Sequence, residues 1–416
     1  MKGACVHIIG AGLAGLSAAV ALAGKGVRVA ISEAAGFAGG RCRSYYEPAL
    51  QRIVDNGNHL ILSGNRAAWA YVRTIGGQDN FIAPPRAEFA FAEIGNDERW
   101  CIAPNDGAFP TWIFSKRKRV PGTTAGDYLR LLPLMRAGAG RLGAHAVDGA
   151  LWERLLHPIL LAALNTEPET ASRTLVAAIM RETLAAGGKA YKPRIANPTL
   201  AAAFIDPAIA FLKERGAEIR FGQRLHGITF EANCVATLEF PQGAVQVDEK
   251  DNVILAVPAP AAASLLPGIS TPDDFRAIVS GHFGIAPPAG TPPMIGIIGG
   301  TIEWIFSFPD RVSVTISNAD RLVDRDRAEL ADIFWRETSA VLNLPRELPP
   351  WQIVKEKRAT FAATPEQDAK RASAETPYRN LFLAGDWTQT GLPATIEGAV
   401  RSGNRAAELA LAAMHV

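Results

Sequence analysis

A glycine-rich turn near the start of the chain has the spacing of a nucleotide-binding loop. The turn is Gly10-Ala11-Gly12-Leu13-Ala14-Gly15, a match to G-x-G-x-x-G. Gly10 permits a tight turn, Gly12 lets the backbone approach a pyrophosphate, and Gly15 lets a helix pack closely on a strand. The N–H groups at the start of that helix, including those of Leu13 and Ala14, would then bind the phosphates.

The elements needed to position this loop lie on both sides of it. Residues 5–9 are apolar and β-branched, as a buried parallel strand should be, and residues 16–23 have a helical pattern. A second strand is predicted over residues 27–33. It ends in Glu33, 18 residues after Gly15, close to the roughly 20 expected for an acid that hydrogen-bonds the adenosine ribose. Together these features predict a dinucleotide-binding unit.

Other small and charged residues follow predicted strands further along. Gly39-Gly40-Arg41 comes shortly after Glu33, and residues 54–59 read Val-Asp-Asn-Gly-Asn-His. Near the end of the chain, residues 378–386 read as a strand that finishes in Gly385-Asp386, and a helical pattern begins near Thr395 and Ile396.

This order of motifs resembles the flavin-containing amine oxidase and phytoene desaturase superfamily, which implies FAD as the cofactor. The resemblance implies that Gly40 and Arg41 lie against the cofactor phosphates and that Gly385 and Asp386 contact the ribityl or pyrophosphate region. It also implies that the helix starting at Thr395 and Ile396 points its N-terminus at the flavin O2, where the helix dipole stabilises negative charge on the reduced ring. By the same resemblance, Gly57 and Asn58 lie close to the cofactor and the backbone of Leu225 contacts the adenine.

The superfamily resemblance also implies a fold of the α/β class. We expect a discontinuous Rossmann-like FAD-binding domain of the amine-oxidase type, formed by residues 1–70, 205–260 and 350–416. The remaining residues, 71–204 and 261–349, would form a mixed α+β substrate domain.

Residues 55–65, Asp-Asn-Gly-Asn-His-Leu-Ile-Leu-Ser-Gly-Asn, resemble the signature of the hydroxysqualene dehydroxylase family, which belongs to bacterial squalene and hopanoid biosynthesis. Residues 164–166, 357–361 and 385–403 are similar to that family as well. The resemblance implies an apolar polyprenoid substrate, hydroxysqualene, whose allylic hydroxyl leaves as water before a hydride from reduced FAD replaces it. A carotenoid-type desaturase, an amine oxidase and a flavin-bound lipid carrier without turnover remain alternatives. An amine oxidase would need an aromatic cage around the flavin ring. Trp387 is the only aromatic residue in the sequence between Asp386 and the predicted helix.

The acid that assists departure of the hydroxyl is not assigned. His59 could protonate a leaving group near neutral pH, or it could be a structural histidine that bonds the backbone or the flavin. Glu397 could be the acid, or it could stabilise the start of a helix.

Composition excludes several classes of protein. Lys and Arg number 43 against 41 Asp and Glu, so no overall field selects nucleic acid. The four cysteines form no C-x-x-C pair, which predicts no metal site and a reducing, cytoplasmic compartment. Aromatic and apolar residues at 112–114 precede the cations at 116–119, and further cations lie at 130, 136 and 141. This patch predicts either peripheral contact with the cytoplasmic face of the inner membrane or a solvated charge run beside a core strand.

Overall fold

The computed structural model describes residues 4–143, 148–183 and 186–414. Within these residues the strands are β1 Cys5–Ile9, β2 Arg28–Ser32, β3 Ser44–Glu47, β4 Arg52–Asp55, β5 Leu60–Leu62, β6 Phe81–Ile82, β7 Phe89–Glu93, β8 Arg99–Ile102, β9 Pro193–Ala196, β10 Glu218–Arg220, β11 Gly227–Glu231, β12 Cys234–Phe240, β13 Gly243–Gln246, β14 Asn252–Leu255, β15 Phe275–Phe283, β16 Met294–Ile298, β17 Trp304–Phe308, β18 Arg311–Ile316, β19 Trp351–Phe361 and β20 Leu381–Leu383. The α-helices are α1 Leu13–Ala23, α2 Arg66–Ile75, α3 Ala125–Leu129, α4 His157–Leu164, α5 Arg173–Glu182, α6 Asp206–Glu214, α7 Ala259–Leu265, α8 Arg327–Leu342, α9 Pro365–Ala369 and α10 Ile396–Ala413.

A five-stranded parallel sheet carries the predicted nucleotide motifs. Its strand order is β10-β2-β1-β14-β20, and every pair of neighbours is parallel. The strands come from three distant parts of the chain, so the predicted discontinuous Rossmann-like arrangement is confirmed. Their short apolar runs are buried because helices cover the sheet.

Helices α1 and α10 pack directly against each other beside this sheet. A Cβ atom on Gly403 would lie 2.1 Å from both the Ala14 carbonyl oxygen and the Ser17 Oγ. Only glycine therefore permits this approach, which brings the C-terminal helix onto the helix of the glycine loop.

A second, seven-stranded sheet has the order β19-β15-β18-β17-β16-β7-β8 and is mostly antiparallel. Its two faces differ because successive side chains along a strand alternate. Val279, Val312 and Val314 point to one face and join the apolar cluster that α8 covers. Trp304 and Phe306 belong to a separate cluster that includes residues of α4 and α5. Smaller sheets pair β11-β12-β13, β3-β4 and β5-β9-β6.

Strand β19 follows the predicted domain boundary at residue 350. It pairs with β15 from Phe275↔Phe361 to Phe283↔Trp351 and so lies at the edge of the second sheet. Strand propensity alone does not tell which sheet a strand will join, since pairing is decided by long-range contacts. The predicted division into domains stays a prediction.

Helices long and apolar enough to cross a membrane are absent from the residues that the structure describes.

Candidate flavin site

The glycine loop connects β1 to α1, and its three glycines have different surroundings. A Cβ on Gly10 would lie 2.4 Å from the Ala256 carbonyl oxygen, and one on Gly15 would lie 1.9 Å from the Gly10 carbonyl oxygen. A Cβ on Gly12, the N-cap of α1, would meet no atom within 4 Å. The fold itself therefore needs Gly10 and Gly15, whereas the space at Gly12 suits a group bound at the helix N-terminus. Leu13 and Ala14 form the first turn of α1.

Glu33 lies directly beside this loop. Its carboxylate accepts hydrogen bonds from Ala11 N at 2.7 Å and from Ala35 N at 2.8 Å. Its carbonyl oxygen accepts a bond from Gln223 N at 2.8 Å, which brings the segment that ends in buried Leu225 to the same edge of the sheet. Each carboxylate oxygen can accept a second bond, so Glu33 keeps capacity for ribose hydroxyls.

Gly40 and Arg41 reach the loop from a neighbouring turn. The Gly39 N–H donates to the Ala11 carbonyl at 2.8 Å, and a Cβ on Gly40 would lie 3.4 Å from the Gly12 Cα. The Arg41 guanidinium pairs with Asp386 at 2.6 Å and donates to the Ala359 carbonyl at 2.5 Å. Two residues that the sequence places 345 positions apart thus form one ion pair.

The Gly385-Asp386 turn is held by two residues that sequence reasoning missed. Ser402 of α10 accepts a hydrogen bond from Gly385 N at 2.9 Å. The buried Arg371 guanidinium pairs with Asp368 at 3.0 Å and donates to the Asp386 carbonyl, the Thr388 carbonyl and the Thr390 hydroxyl. No local motif marks Arg371, because its backbone acceptors come into reach only after folding.

Helix α10 begins at the predicted place. The Thr395 hydroxyl accepts a bond from Gly398 N at 3.0 Å and so caps the helix, and Ile396 is buried in the first turn. The Glu397 carboxylate accepts bonds from Ala67 N at 3.1 Å and Ala68 N at 2.8 Å. It also pairs with Arg401 at 2.8 Å. These contacts use carboxylate lone pairs at the N-terminus of α2, so they support the helix-end role for Glu397 over the acid role.

The Asp55–His59 segment lies across the second sheet. The Asp55 carboxylate accepts bonds from Ser44 Oγ at 2.6 Å and Leu200 N at 2.8 Å. Its carbonyl accepts a bond from His282 Nε2 at 3.0 Å, and the other ring nitrogen of His282 contacts Ser313 Oγ at 2.8 Å. Nε2 therefore donates to the Asp55 carbonyl, and in the neutral ring Nδ1 accepts from the Ser313 hydroxyl. Burial and then the charge of Arg311 lower the pKa of His282 to about 4.

Gly57 and Asn58 continue this segment over β15 and β18. A Cβ on Gly57 would lie 3.6 Å from Ser280 Oγ, and Asn58 Nδ2 donates to Thr315 Oγ1 at 2.9 Å. Asn58 Oδ1 is buried, and it has no hydrogen-bond partner within the part of the chain that the structure describes. A buried acceptor of this kind needs a donor, and the N–H groups of a bound flavin provide that chemistry.

His59 is half-buried beside this segment. Burial and then the nearby positive charge of Arg41 lower its pKa to about 4. The imidazole is therefore neutral at pH 7, which favours the structural role over that of a charged proton donor.

An aromatic surface lies on the same sheet. Phe91 stacks on Trp100 with ring centroids 5.5 Å apart and contacts Trp304 edge-on at 5.8 Å. Trp304 is the cross-strand neighbour of Thr315, which bonds Asn58, so this aromatic surface adjoins the Asp55–His59 segment. Trp387 belongs to the same buried cluster and donates its indole N–H to the Val257 carbonyl at 2.9 Å. That bond fixes the orientation of the Trp387 indole.

The fold and this arrangement define a class of protein, a flavin-dependent oxidoreductase. The family model described as flavin containing amine oxidoreductase matches residues 13–287 and 292–411. A solved structure of an oxidoreductase from Methanosarcina mazei shares the fold with a TM-score of 0.73, at 16% identity, over 97% of this chain and 100% of that one.

Relatives at higher identity narrow the class. The chain is 51% identical over 411 residues to a protein from Rhodopseudomonas palustris named hydroxysqualene dehydroxylase, covering 98% of both chains. It is 50% identical over 408 residues to the protein of the same name from Sinorhizobium fredii, again covering 98% of both. The chain therefore belongs to the hydroxysqualene dehydroxylase family, within the flavin-containing amine oxidoreductases.

Proposed function

We propose that this protein removes the hydroxyl group of hydroxysqualene reductively and releases squalene, with FAD as its flavin. The main support is sequence identity: about half of the residues, over 98% of the chain, are identical to those of relatives named hydroxysqualene dehydroxylase. In the squalene and hopanoid pathways of a bacterium the enzyme would work in the cytoplasm, against the inner face of the cytoplasmic membrane.

We assign the cofactor contacts to residues at one edge of the parallel sheet and to the Gly57-Asn58 segment, which lies over the second sheet. The phosphates would lie at Gly12, Leu13, Ala14 and the Gly40-Arg41 turn, with Gly10 and Gly15 shaping the loop. Glu33 and Leu225 would hold the adenosine, and Gly385, Asp386, Gly57, Asn58, Thr395 and Ile396 would surround the ribityl chain and the flavin ring. The open space at Gly12 and the unpartnered Asn58 Oδ1 support this assignment.

The reaction replaces a C–O bond by a C–H bond. The hydroxyl leaves with a proton as water, and the carbon then accepts a hydride, so the substrate gains two electrons. When bound, reduced FAD supplies that hydride. The allylic position of the hydroxyl delocalises the positive charge that its departure leaves on the substrate.

The protein contributes a dry surface for this charge. Phe91, Trp304 and Phe306 lie in a buried apolar cluster, where water cannot compete with the hydride for the cation. The faces of aromatic rings also attract a cation, by about 0.5–2 kcal/mol each. The positive N-terminal end of α10, capped by Thr395, would stabilise negative charge on the cofactor.

The test is a single-turnover experiment under anaerobic conditions. The purified flavoprotein is reduced chemically and mixed with hydroxysqualene in detergent, while flavin absorbance is followed and products are extracted. We expect reoxidation of the flavin together with one squalene per flavin, and no reoxidation with squalene itself as the matched control. A reduced enzyme that stays reduced with hydroxysqualene would refute the proposal. Oxidised enzyme that is bleached by a polyprenoid would instead indicate a desaturase.

A further inference from the structure

The lobe formed by residues 103–143, here called the basic lobe, exposes apolar side chains to solvent. Phe109 is 68% exposed, Phe114 61%, Leu129 53% and Leu132 55%. They make up half of the eight exposed large apolar side chains in the described part of the chain. Single exposed apolar residues are normal on proteins, but a cluster within 24 residues indicates a binding surface.

These residues are exposed although their neighbours are firmly buried. Trp112 packs edge-on against Tyr128 with centroids 5.0 Å apart, and the Tyr128 hydroxyl accepts a bond from Val120 N at 2.9 Å. Leu131 and Leu134 also join the main apolar cluster. The buried side chains of the lobe thus pack into the protein interior. Phe109 and Phe114 stack on each other on its solvent-exposed side, with ring centroids 6.4 Å apart.

Cations surround the exposed apolar residues. The basic lobe, residues 103–143, contains seven Lys and Arg and two acids, Asp106 and Asp127, a net charge of +5 within a chain of net charge +2. Asp127 caps α3 and pairs with Arg130 at 3.6 Å. Lys116, Arg117, Lys118 and Arg136 are exposed and form no ion pair with any residue that the structure describes. The remainder of the chain carries a net charge of −3, so the excess positive charge of the chain lies in this lobe.

We propose that the basic lobe docks on a lipid bilayer rich in anionic headgroups. Phe109, Phe114, Leu129 and Leu132 insert among the acyl chains, and the surrounding cations bind headgroup phosphates. A membrane is the partner that offers an apolar interior and a negative surface together. Nucleic acid provides phosphates but no place for exposed leucines.

The position of the lobe connects this surface to the proposed reaction. Its buried residues, Trp112 and Leu131 among them, belong to the same apolar cluster as Phe91 and Trp304 of the aromatic surface. A polyprenoid that leaves the bilayer beneath the lobe would meet apolar side chains throughout. In this respect the inference rests on the proposed function and extends it, since it names the lipid and the residues that bind it.

Co-sedimentation with vesicles tests the docking surface. The full-length flavoprotein is spun with vesicles of phosphatidylcholine alone or with 30% phosphatidylglycerol. We expect binding to the anionic vesicles that weakens in 0.5 M NaCl. The variant Lys116→Glu/Arg117→Glu/Lys118→Glu should bind at least about 100-fold more weakly, since each cation near such a surface contributes about fivefold. Phe109→Ser/Phe114→Ser should lose about tenfold or more.

Matched controls change the same residue types elsewhere. Lys25→Glu/Arg336→Glu/Arg346→Glu reverses three exposed cations outside the lobe, and Tyr46→Ser/Ile53→Ser removes two exposed apolar side chains of the β3–β4 hairpin. Both should bind vesicles like the wild type. All variants should keep single-turnover activity on substrate dissolved in detergent, so failure of docking and failure of the proposed reaction are separately visible.

Three results would overturn the proposal. The first is equal binding to both kinds of vesicle by the wild type and the lobe variants, and the second is binding to neither. The third is self-association without lipid that Phe109→Ser/Phe114→Ser abolishes, because the surface would then join two copies of this chain.

Discussion

The glycines of the loop fall into two groups: those that the packing of the fold requires and one that the packing does not require. Gly10 and Gly15 lack side chains because neighbouring carbonyl groups fill the space, as the distances of 2.4 and 1.9 Å show. Gly12 faces open space, so no contact within the fold requires its lack of a side chain.

Gly12→Ala therefore separates binding from folding. Gly12 has an extended backbone, φ −75° and ψ 177°, that alanine also adopts, so we expect the free energy of unfolding of the apoprotein to fall by about 1 kcal/mol at most. FAD affinity, measured by titration of the apoprotein, should fall at least about tenfold because the new methyl group would occupy the space that we propose for the phosphates. Gly126→Ala, which meets only Thr124 Oγ1 at 3.5 Å, is the control. Unchanged FAD affinity in Gly12→Ala would contradict the phosphate assignment.

His282 predicts a pH dependence of stability. Its folded-state pKa of about 4 lies below the ordinary 6.5, so between these values the unfolded chain binds a proton that the folded chain does not. The free energy of unfolding should fall as pH drops from about 6.5 to 4, by up to about 1.4 kcal/mol per pH unit for this one group. His282→Gln should flatten the curve from urea unfolding at pH 4.5 to 7, whereas His226→Gln, on an exposed side chain, should not. Parallel curves for His282→Gln and the wild type would exclude this role.

Between elements, one buried carboxylate adds a polar link to the apolar packing of α2 on α10. Glu397 closes the N-terminus of α2 while Arg401 neutralises it one turn along α10. From the sequence, Glu397 could protonate the leaving hydroxyl or stabilise the start of a helix. Its hydrogen bonds to α2, which only the fold creates, favour the second role.

Substitution of Glu397 tests that distinction. Glu397→Ala should lower the free energy of unfolding by about 2–3 kcal/mol, because two N–H groups lose their acceptor in a buried site and Arg401 keeps only its pair with Glu182. Glu397→Gln keeps an acceptor oxygen and should retain a single-turnover rate within about threefold of wild type once loaded with flavin. A fall of about 100-fold or more in Glu397→Gln at full flavin occupancy would restore the acid role.

At the scale of the whole molecule, the proposed cofactor site joins segments from distant parts of the chain. The glycine loop, the Arg41 turn and the Asp386 turn come from opposite ends of the chain and meet through the Arg41–Asp386 pair. A ligand that contacts all three should therefore stabilise the entire fold.

Thermal unfolding measures this coupling and the identity of the cofactor. At a concentration 100-fold above its Kd, FAD adds about 2.7 kcal/mol, which for a chain of this length raises Tm by about 3 °C. FMN, which lacks the adenosine half held near Glu33, should give a smaller shift, and NAD should give none. A shift with NAD as large as that with FAD would contradict the flavin specificity.

The sequence by itself determined the parts of this protein that depend on neighbours along the chain. The glycine loop, the acid at 33 and the capped start of α10 follow from local patterns. The strands predicted over residues 5–9, 27–33 and 378–386 lie within a few residues of β1, β2 and β20. The family resemblance extended this to the flavin and the substrate class.

Only the tertiary structure decided which distant residues meet. Three features depend on contacts between residues more than ten positions apart in the sequence. They are the pairing of β19 with β15, the hydrogen bond of Arg371 to the Asp386 carbonyl and the hydrogen bond of His282 to the Asp55 carbonyl. Charge and hydrophobicity identify such residues as candidates for burial or pairing, but their partners are decided by packing. The same reason explains the basic lobe, whose buried and exposed apolar residues have the same types in the sequence and are separated only by the fold.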